Sequence, residues 1–224
     1  MGNFIKADFH VHGIASKDSL SRGEDLIARA KKLGLGKLIL TDHNTISGAV
    51  ELQKAYPDFV IVGEEVLTTK GEILAFFVKE EIPKGLEPIE AFRRLKEQNA
   101  FISLSHPYAM LRHGWTEEEM EGFLPFLDAI ETANARNQPD QNRSAMKFAK
   151  DHGLYGTAGS DAHGVKELGS MGLSLPDFHS ADDLRKAIRE AEVFGKESPL
   201  WVRYYSRSAA LLKTVHRKLG IKLY

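Results

Sequence analysis

Five of the chain's nine histidines fall in four short motifs that each close an apolar run: Asp8-Phe9-His10-Val11-His12, Thr41-Asp42-His43, Ser105-His106-Pro107 and Gly159-Ser160-Asp161-Ala162-His163. Glu65, in Gly63-Glu64-Glu65, adds a carboxylate at a fifth such point. Imidazole nitrogens and carboxylate oxygens are the donors that divalent cations of borderline or hard character take. With no cysteine in the chain, any such cation must be held by nitrogen and oxygen alone. His10 and His12 are two apart in a β-like run, where side chains at i and i+2 share a face, and Asp161 and His163 repeat the spacing. Either pair alone would look the same as an ordinary polar pair at a strand end. Their recurrence points further, because the strand ends of a parallel barrel open onto one C-terminal mouth. Asp8, on the same predicted face as His10, is expected to accept a hydrogen bond from a ligating imidazole and so fix its tautomer.

Donors so dispersed need a scaffold that returns the chain repeatedly to one place. Apolar, often β-branched runs recur at Phe4–Val11, Lys37–Thr41, Phe59–Glu64, Ile73–Val78, Phe101–Leu104, Leu127–Thr132 and Leu154–Gly159, giving seven candidate strands. Helical patterns fill most of the gaps. Ser21-Arg22-Gly23-Glu24 reads as a capping box ahead of Leu26, Ile27, Ala30 and Leu33, with Gly34 as the stop. Pro88 opens a helix with Ile89, Phe92 and Leu95 inward, Ala145, Phe148 and Ala149 mark another that Gly153 ends, and Ser180 caps one running to about Glu192. This alternation predicts an α/β fold with a largely parallel sheet inside one ring of helices, a TIM-like barrel smaller than the eightfold one. Only Leu67–Gly71 separates the third and fourth runs, so a hairpin should interrupt the alternation and distort the barrel.

At 224 residues, 42% hydrophobic and 27% charged, the chain suits a single domain over 1–224 with a substantial core. It opens in a strand-like run without a secretory pattern and contains no apolar stretch of membrane-spanning length, so a soluble, cytoplasmic protein with no membrane partner is expected. The net charge of −1 conceals a basic C-terminal segment: residues 196–224 carry seven Lys or Arg against one acid. There, a helical segment at about 205–220 presents Leu211, Leu212, Val215 and Leu219 as an apolar stripe for packing, with its charges solvated.

In combination and order, Asp8–His12, Ser16–Ser19, Ala30 to Thr45, Gly63–Glu65, Ser105–Pro107, Ile130–Asn134 and Gly159–His163 resemble the polymerase and histidinol phosphatase (PHP) family of metal-dependent phosphoesterases. The resemblance implies a distorted (β/α)7 barrel and two or three divalent ions: zinc, manganese or iron, with magnesium as an alternative. It further implies that His10, His12, Glu65 and Asp161 hold one ion, that Glu65 bridges to a second also taken by His106, and that Asp18, His43 and His163 hold a third. Where many members carry a histidine, this chain has Glu72, a donor that favours harder ions. Asp18, Glu65, Glu72 and Asp161 would set four negative charges against six from three such ions, before Asp8 and Asp42 in the surrounding layer are counted. That excess suits an anionic ester attacked by a metal-bridged hydroxide.

The implied reaction is therefore hydrolysis of a small phosphorylated metabolite or nucleotide. Arg136 and Arg143, just past the sixth apolar run, are candidates to grip its oxygens, since guanidinium forks match phosphate. His113 and, more weakly, Lys17 are further candidates, and Glu131 and Asn134 are candidates to orient the site. A nuclease acting on DNA or RNA ends is the nearest alternative, not favoured for a nearly neutral chain without a basic groove. A non-catalytic, metal-stabilised binding module is the alternative from another class. The oligomeric state is not legible.

Overall fold

Each apolar run that ends in a histidine motif folds as a strand, and the intervening periodic segments fold as helices against the outside of the sheet. The computed structural model describes residues 3–199 and 202–219. In chain order these form β1 (Phe4–Val11), α1 (Gly23–Lys32), β2 (Lys37–Leu40), α2 (Ser47–Ala55), β3 (Val60–Leu67), β4 (Glu72–Phe76), α3 (Pro88–Glu97), β5 (Phe101–Leu104), α4 (Glu117–Phe123), β6 (Ala129–Asn134), α5 (Pro139–Asp151), β7 (Tyr155–Gly159), β8 (Met171–Pro176), α6 (Ala181–Ala187), β9 (Glu192–Gly195) and α7 (Val202–Lys218).

One sheet of order β7-β6-β5-β4-β3-β2-β1-β8-β9 curls into a nearly closed barrel. The two ends of the curl meet where β7 leaves the sheet: Val11 bridges Ala162 in parallel, and the His12 amide donates to the Ala162 carbonyl at 2.9 Å. Gly159 permits this approach, because a Cβ there would stand 2.4 Å from the His10 Cβ. The distorted barrel expected for the family is therefore present.

Within it, the predicted hairpin is real: β3 and β4 pair antiparallel from Gly63↔Phe76 to Leu67↔Glu72. The sheet is less parallel than the alternation suggests. β4 also runs antiparallel to β5, and β8 and β9 extend the β1 edge in antiparallel sense. Those last two strands went unpredicted because Met171–Pro176 is broken by Gly172 and Pro176, and Glu192–Gly195 is short and largely exposed.

Two layers of apolar side chains support the mouth. Phe9, Ile39, Ile61, Leu74, Phe76 and Phe101 form one cluster with Phe178, Leu184 and Ile188. Phe9 lies 5.5 Å edge-on to Phe76 and 5.9 Å in a stack with Phe178. The alternate residues, Leu38 and Leu40 among them, pack with Leu26 and Ile27 of α1, Leu52 of α2 and Phe92 and Leu95 of α3. Ile89 is exposed, and Ala91 takes the inward place expected for it.

Local details differ from expectation in three further places. Ser21 does not cap α1, whose N-cap is Arg22; the Ser21 hydroxyl instead donates to the His163 carbonyl. The Ser180 cap is present, accepting from the Asp183 amide, but its α-helix ends at Ala187 and a 3-10 turn follows to Glu190. α7 covers most of the basic segment, yet Leu211, Leu212, Val215 and Leu219 are exposed, because the helix lays Val202 and Ala209 against the barrel instead. No helix among the described residues is long and apolar enough to cross a membrane.

Candidate metal centre

A register break in β1 decides which way its polar side chains point. Between the pairs Asp8↔Leu38 and Val11↔Leu40, β1 contains one residue more than β2. Such a bulge reverses the alternation of faces beyond it. His10, within the break, and His12, past it, come together with Nε2 atoms 3.1 Å apart. Asp8, before it, is left on the other side and does not reach the His10 ring, contrary to expectation. Its carboxylate instead collects the amides of His10, Ser160 and Gly169, stitching β1 to the β7 exit.

The partner that orients His10 is Glu131, whose Oε1 lies 3.0 Å from His10 Nδ1. Glu131 is aimed by a second break, in β6 between Glu131 and Ala133, and its other oxygen accepts from the His106 amide and the Asn134 side chain. Ser16 does the same for His12, its hydroxyl lying 3.1 Å from His12 Nδ1. Ser16 also accepts from the His43 amide, while Asp42 holds the Gly13 and Ser16 amides and so shapes the turn after β1.

Around the paired Nε2 atoms the remaining donors close in. Glu65 lies 3.3 Å from His10 Nε2 and 3.4 Å from His12 Nε2, and Asp161 Oδ1 lies 3.8 and 3.5 Å from them. Donors at zinc-like bond lengths occupy tetrahedral corners about 3.4 Å apart. His10, His12 and Asp161 bring ligand atoms within 4.8 Å of one another, as do His43, Glu65 and Glu72, and His12, His43 and His163, while Glu65 reaches His10 and His12 through different oxygens. Glu65 Oε1 is also 3.1 Å from His106 Nε2, which stands 3.3 Å from Glu72, so the Glu65 carboxylate lies between the first group and a second. Asp18 Oδ2, at 3.5 Å from His43 Nε2 and 3.3 Å from His163 Nε2, completes a third. His43 turns its other nitrogen to Glu65 and Glu72, at 3.0 and 3.5 Å, and so stands between groups. Asp18 Oδ1 and His106 Nδ1 are buried without a hydrogen-bond partner, and His43 Nδ1 and Glu65 Oε2, though 3.0 Å apart, meet without hydrogen-bond alignment. Buried polar atoms left so are rare and costly. Donor type, spacing and orphaned atoms all fit divalent ions.

Backbone strain accompanies the site. His106 and Asp161 hold φ of 24° and 53°, unfavourable for any residue with a Cβ.

The electrostatics follow from burial set against proximity. Burial opposes charge on His10 and His43, but the carboxylates facing them hold both imidazoles well above their usual range. Glu65 and Asp161 are held well below theirs by the same contacts, against the same burial. His12 is pushed down to about 3 by burial and by His163 and His43, so it stays neutral beside a charged His10. Asp42, buried and away from these pairings, rises to about 6.

A cavity of about 170 Å³ opens over the donors, lined by Lys17, Arg112, His113, Arg136 and Ser206 in addition to the ligand-type side chains. Arg136 is placed there as expected, its Nη1 2.8 Å from His163 Nδ1. His113 and Lys17 also reach the rim. Arg143 is exposed on α5, because that helix turns Asn142, Ala145 and Phe148 inward, and it does not line the cavity. Sequence reasoning passed over Arg112, which pairs with both Asp161 and Asn137, since one arginine in an irregular loop has no pattern. Trp115 is fully buried and donates to the Glu72 carbonyl at 2.7 Å, a packing role with consequences for the site. Trp201 lies outside the described residues.

Known proteins share the family pattern and the fold of this chain. Residues 8–73 match the model of the PHP domain, and residues 139–193 match that of a PHP-associated region. An uncharacterised protein of Methanocaldococcus jannaschii is 40% identical over 144 residues, spanning 58% of this chain and 82% of its own. Among solved structures, a Bifidobacterium adolescentis protein provisionally named a metal-dependent phosphoesterase superposes with a TM-score of 0.62 at 19% identity, over 82% of this chain and 95% of its own. The lesion-specific endonuclease EndoQ of Pyrococcus furiosus superposes with a TM-score of 0.61 at 16% identity, over 85% of this chain and 58% of its own.

Proposed function

The chain belongs to the PHP family of metal-dependent phosphoesterases, and from that premise we propose that it hydrolyses a small phosphorylated metabolite or nucleotide. The observation that carries this reading is the pairing of a buried, multi-carboxylate donor set with Lys17, Arg112 and Arg136 around one cavity of about 170 Å³. Small-molecule pockets are commonly about 300 Å³ or more. A space below that range suits a phosphate group and little else, leaving the rest of the substrate outside.

In this reading His10, His12, Glu65 and Asp161 hold one ion, Glu65, His106 and Glu72 a second, and Asp18, His43 and His163 a third. Bound there, divalent ions supply Lewis-acid neutralisation of the phosphoryl oxygens and an activated water. The protein contributes the rest. Glu131 and Ser16 keep a hydrogen on the Nδ1 atoms of His10 and His12, so that both Nε2 lone pairs face the centre. Arg112 and Arg136 flank Asp161 and bring two guanidinium charges to the cavity where a substrate's non-bridging oxygens would lie. Glu72, an oxygen donor, tilts the second group towards manganese or magnesium.

The test is a phosphate-release screen over sugar phosphates, nucleotides, p-nitrophenyl esters and oligonucleotides, after reconstitution with Mn, Zn, Fe or Mg in turn. Release from a small monoester with a weak dependence on salt supports the reading. The fold shared with an endonuclease favours one second reading, action on nucleic acid. Cleavage confined to oligonucleotides, weakening steeply with added salt, would establish that instead.

A further inference from the structure

The C-terminal helix takes no part in the family-like motifs, yet one of its side chains and one of its carbonyls meet Arg136 at the site, and another side chain holds the turn after β1. Arg136 Nη2 donates to the Val202 carbonyl at 3.1 Å and to the Ser206 hydroxyl at 3.0 Å, and Ser206 lines the cavity. Three turns along, the Lys213 ammonium donates to the carbonyls of Ile14 and Ser16, each at 2.5 Å. Tyr205 lies against Gly164, where a Cβ would stand 3.0 Å from its ring. α7 therefore braces the turn after β7 near its start and the turn after β1 further along.

The turn after β1 delivers the third group of donors. It runs from His12 through Ser16, whose hydroxyl meets His12 Nδ1 and the His43 amide, to Asp18, whose Oδ2 faces His43 and His163. Its amides point inward to Asp42. Two of its carbonyls, those of Ile14 and Ser16, accept from one donor on α7. Lys213, half-buried, is that donor.

We propose that Lys213 is a positioning residue for the metal centre: by gripping the Ile14 and Ser16 carbonyls it holds Asp18 in place against His43 and His163, making α7 a working part of the site. The inference rests on the reading of these residues as metal ligands. Loss of that grip falls chiefly on the third group, because in the first group only His12 touches the turn, through the Ser16 hydroxyl, while His10, Glu65 and Asp161 are set by β1, β3 and the β7 exit. Residues that orient ligands without touching the ion commonly change metal affinity by about 10–100-fold when replaced.

The experiment is equilibrium dialysis of Mn(II) against the full chain, comparing wild type with Lys213→Met, which keeps the length but not the donors, and Lys213→Arg, which keeps them. Circular dichroism melts of all three control for folding. The expected result is that Lys213→Met weakens one ion of the set by about tenfold or more, with the other sites changed much less and the melt preserved, and that Lys213→Arg restores most of the loss. Equal stoichiometry and affinity in Lys213→Met and wild type would overturn the proposal, as would a uniform weakening of all sites with a lowered melt. Failure of the wild type to bind Mn(II) at all would instead overturn the metal-centre reading, and would be seen before any substitution was made.

Discussion

The Nε2 atoms of His10 and His12 face one another at 3.1 Å, while each ring's Nδ1 is engaged by its own partner, Glu131 or Ser16. Two imidazole lone pairs so close repel unless a cation lies between them or one ring takes a proton. Without an ion, His10 takes the proton and His12 stays neutral, as their opposite pKa displacements indicate. Replacing His43 or Asp161 by Ala, or His10 by Ala, should abolish turnover and lower bound metal while preserving the far-UV circular dichroism spectrum. Full activity in the His43 and Asp161 variants would refute the site.

Glu131 touches no ion in the proposed arrangement but orients His10 and holds the His106 amide. Glu131→Gln should therefore weaken metal binding by roughly 10–100-fold, with a smaller change in stability, because the amide retains the shape and loses only the charge-assisted contact. A metal titration of the variant checks this. Unchanged affinity would make Glu131 a packing residue.

Four carboxylates converge on the mouth, and their repulsion is relieved by bound cations. Adding Mn(II) or Zn(II) to metal-free protein should raise its melting temperature. At a free ion concentration 100 times the dissociation constant the native state gains about 2.7 kcal/mol per independent site. A melting curve indifferent to both ions would count against the centre.

Glu64, adjacent in sequence to Glu65 but facing away from the cavity, is completely buried with only the Ile82 amide as a hydrogen-bond partner. Burial pushes its carboxyl up to about 8 from 4.5, with Glu81 adding to the effect. The folded chain therefore keeps a proton that the unfolded chain releases. Stability from this group is full below pH 4.5 and is lost as pH rises through 8. Over that window the wild type should lose up to about 1.4 kcal/mol per pH unit relative to Glu64→Gln. Parallel stability–pH curves for the two proteins would show that Glu64 is ionised in the fold.

Trp115 packs edge-on to Phe123 with ring centroids 5.6 Å apart, and its ring fills the space where Gly71 lacks a side chain. Its indole also holds the Glu72 carbonyl. Trp115→Ala should cost about 3–5 kcal/mol through the cavity it leaves. Trp115→Phe should keep much of the packing but lose about 1 kcal/mol with the hydrogen bond, and weaken the second metal group. Chemical denaturation and metal titration separate the two effects.

What could be read from the chain, and what could not, divides along physical lines. Strand ends carrying His10, His12, His43, His106 and Asp161 were legible because burial imposes period-two apolar runs that any reader can count. The short third-to-fourth connection likewise announced its hairpin. The role given to Asp8 failed for the opposite reason: one extra residue in β1 reverses every face beyond it, and no composition signal marks that bulge. Arg143 and Arg112 exchanged importance because helix phase turned one to solvent and an irregular loop turned the other to Asp161. Even the apolar stripe of α7 misled, since packing chose Val202 and Ala209 over the larger Leu211 and Val215.

By itself, then, the sequence determined the donor chemistry, nitrogen and oxygen without sulfur, and the repeated placement of those donors at the ends of buried strands. Only the tertiary structure decided which ring nitrogen faces which carboxylate, that Glu131 rather than Asp8 sets His10, and that α7 joins the mouth through Ser206 and Lys213. The reason is range: periodicity is a local consequence of burial and survives in a linear string, whereas the meeting of Lys213 with Ser16 spans 197 positions and exists only once the barrel has closed.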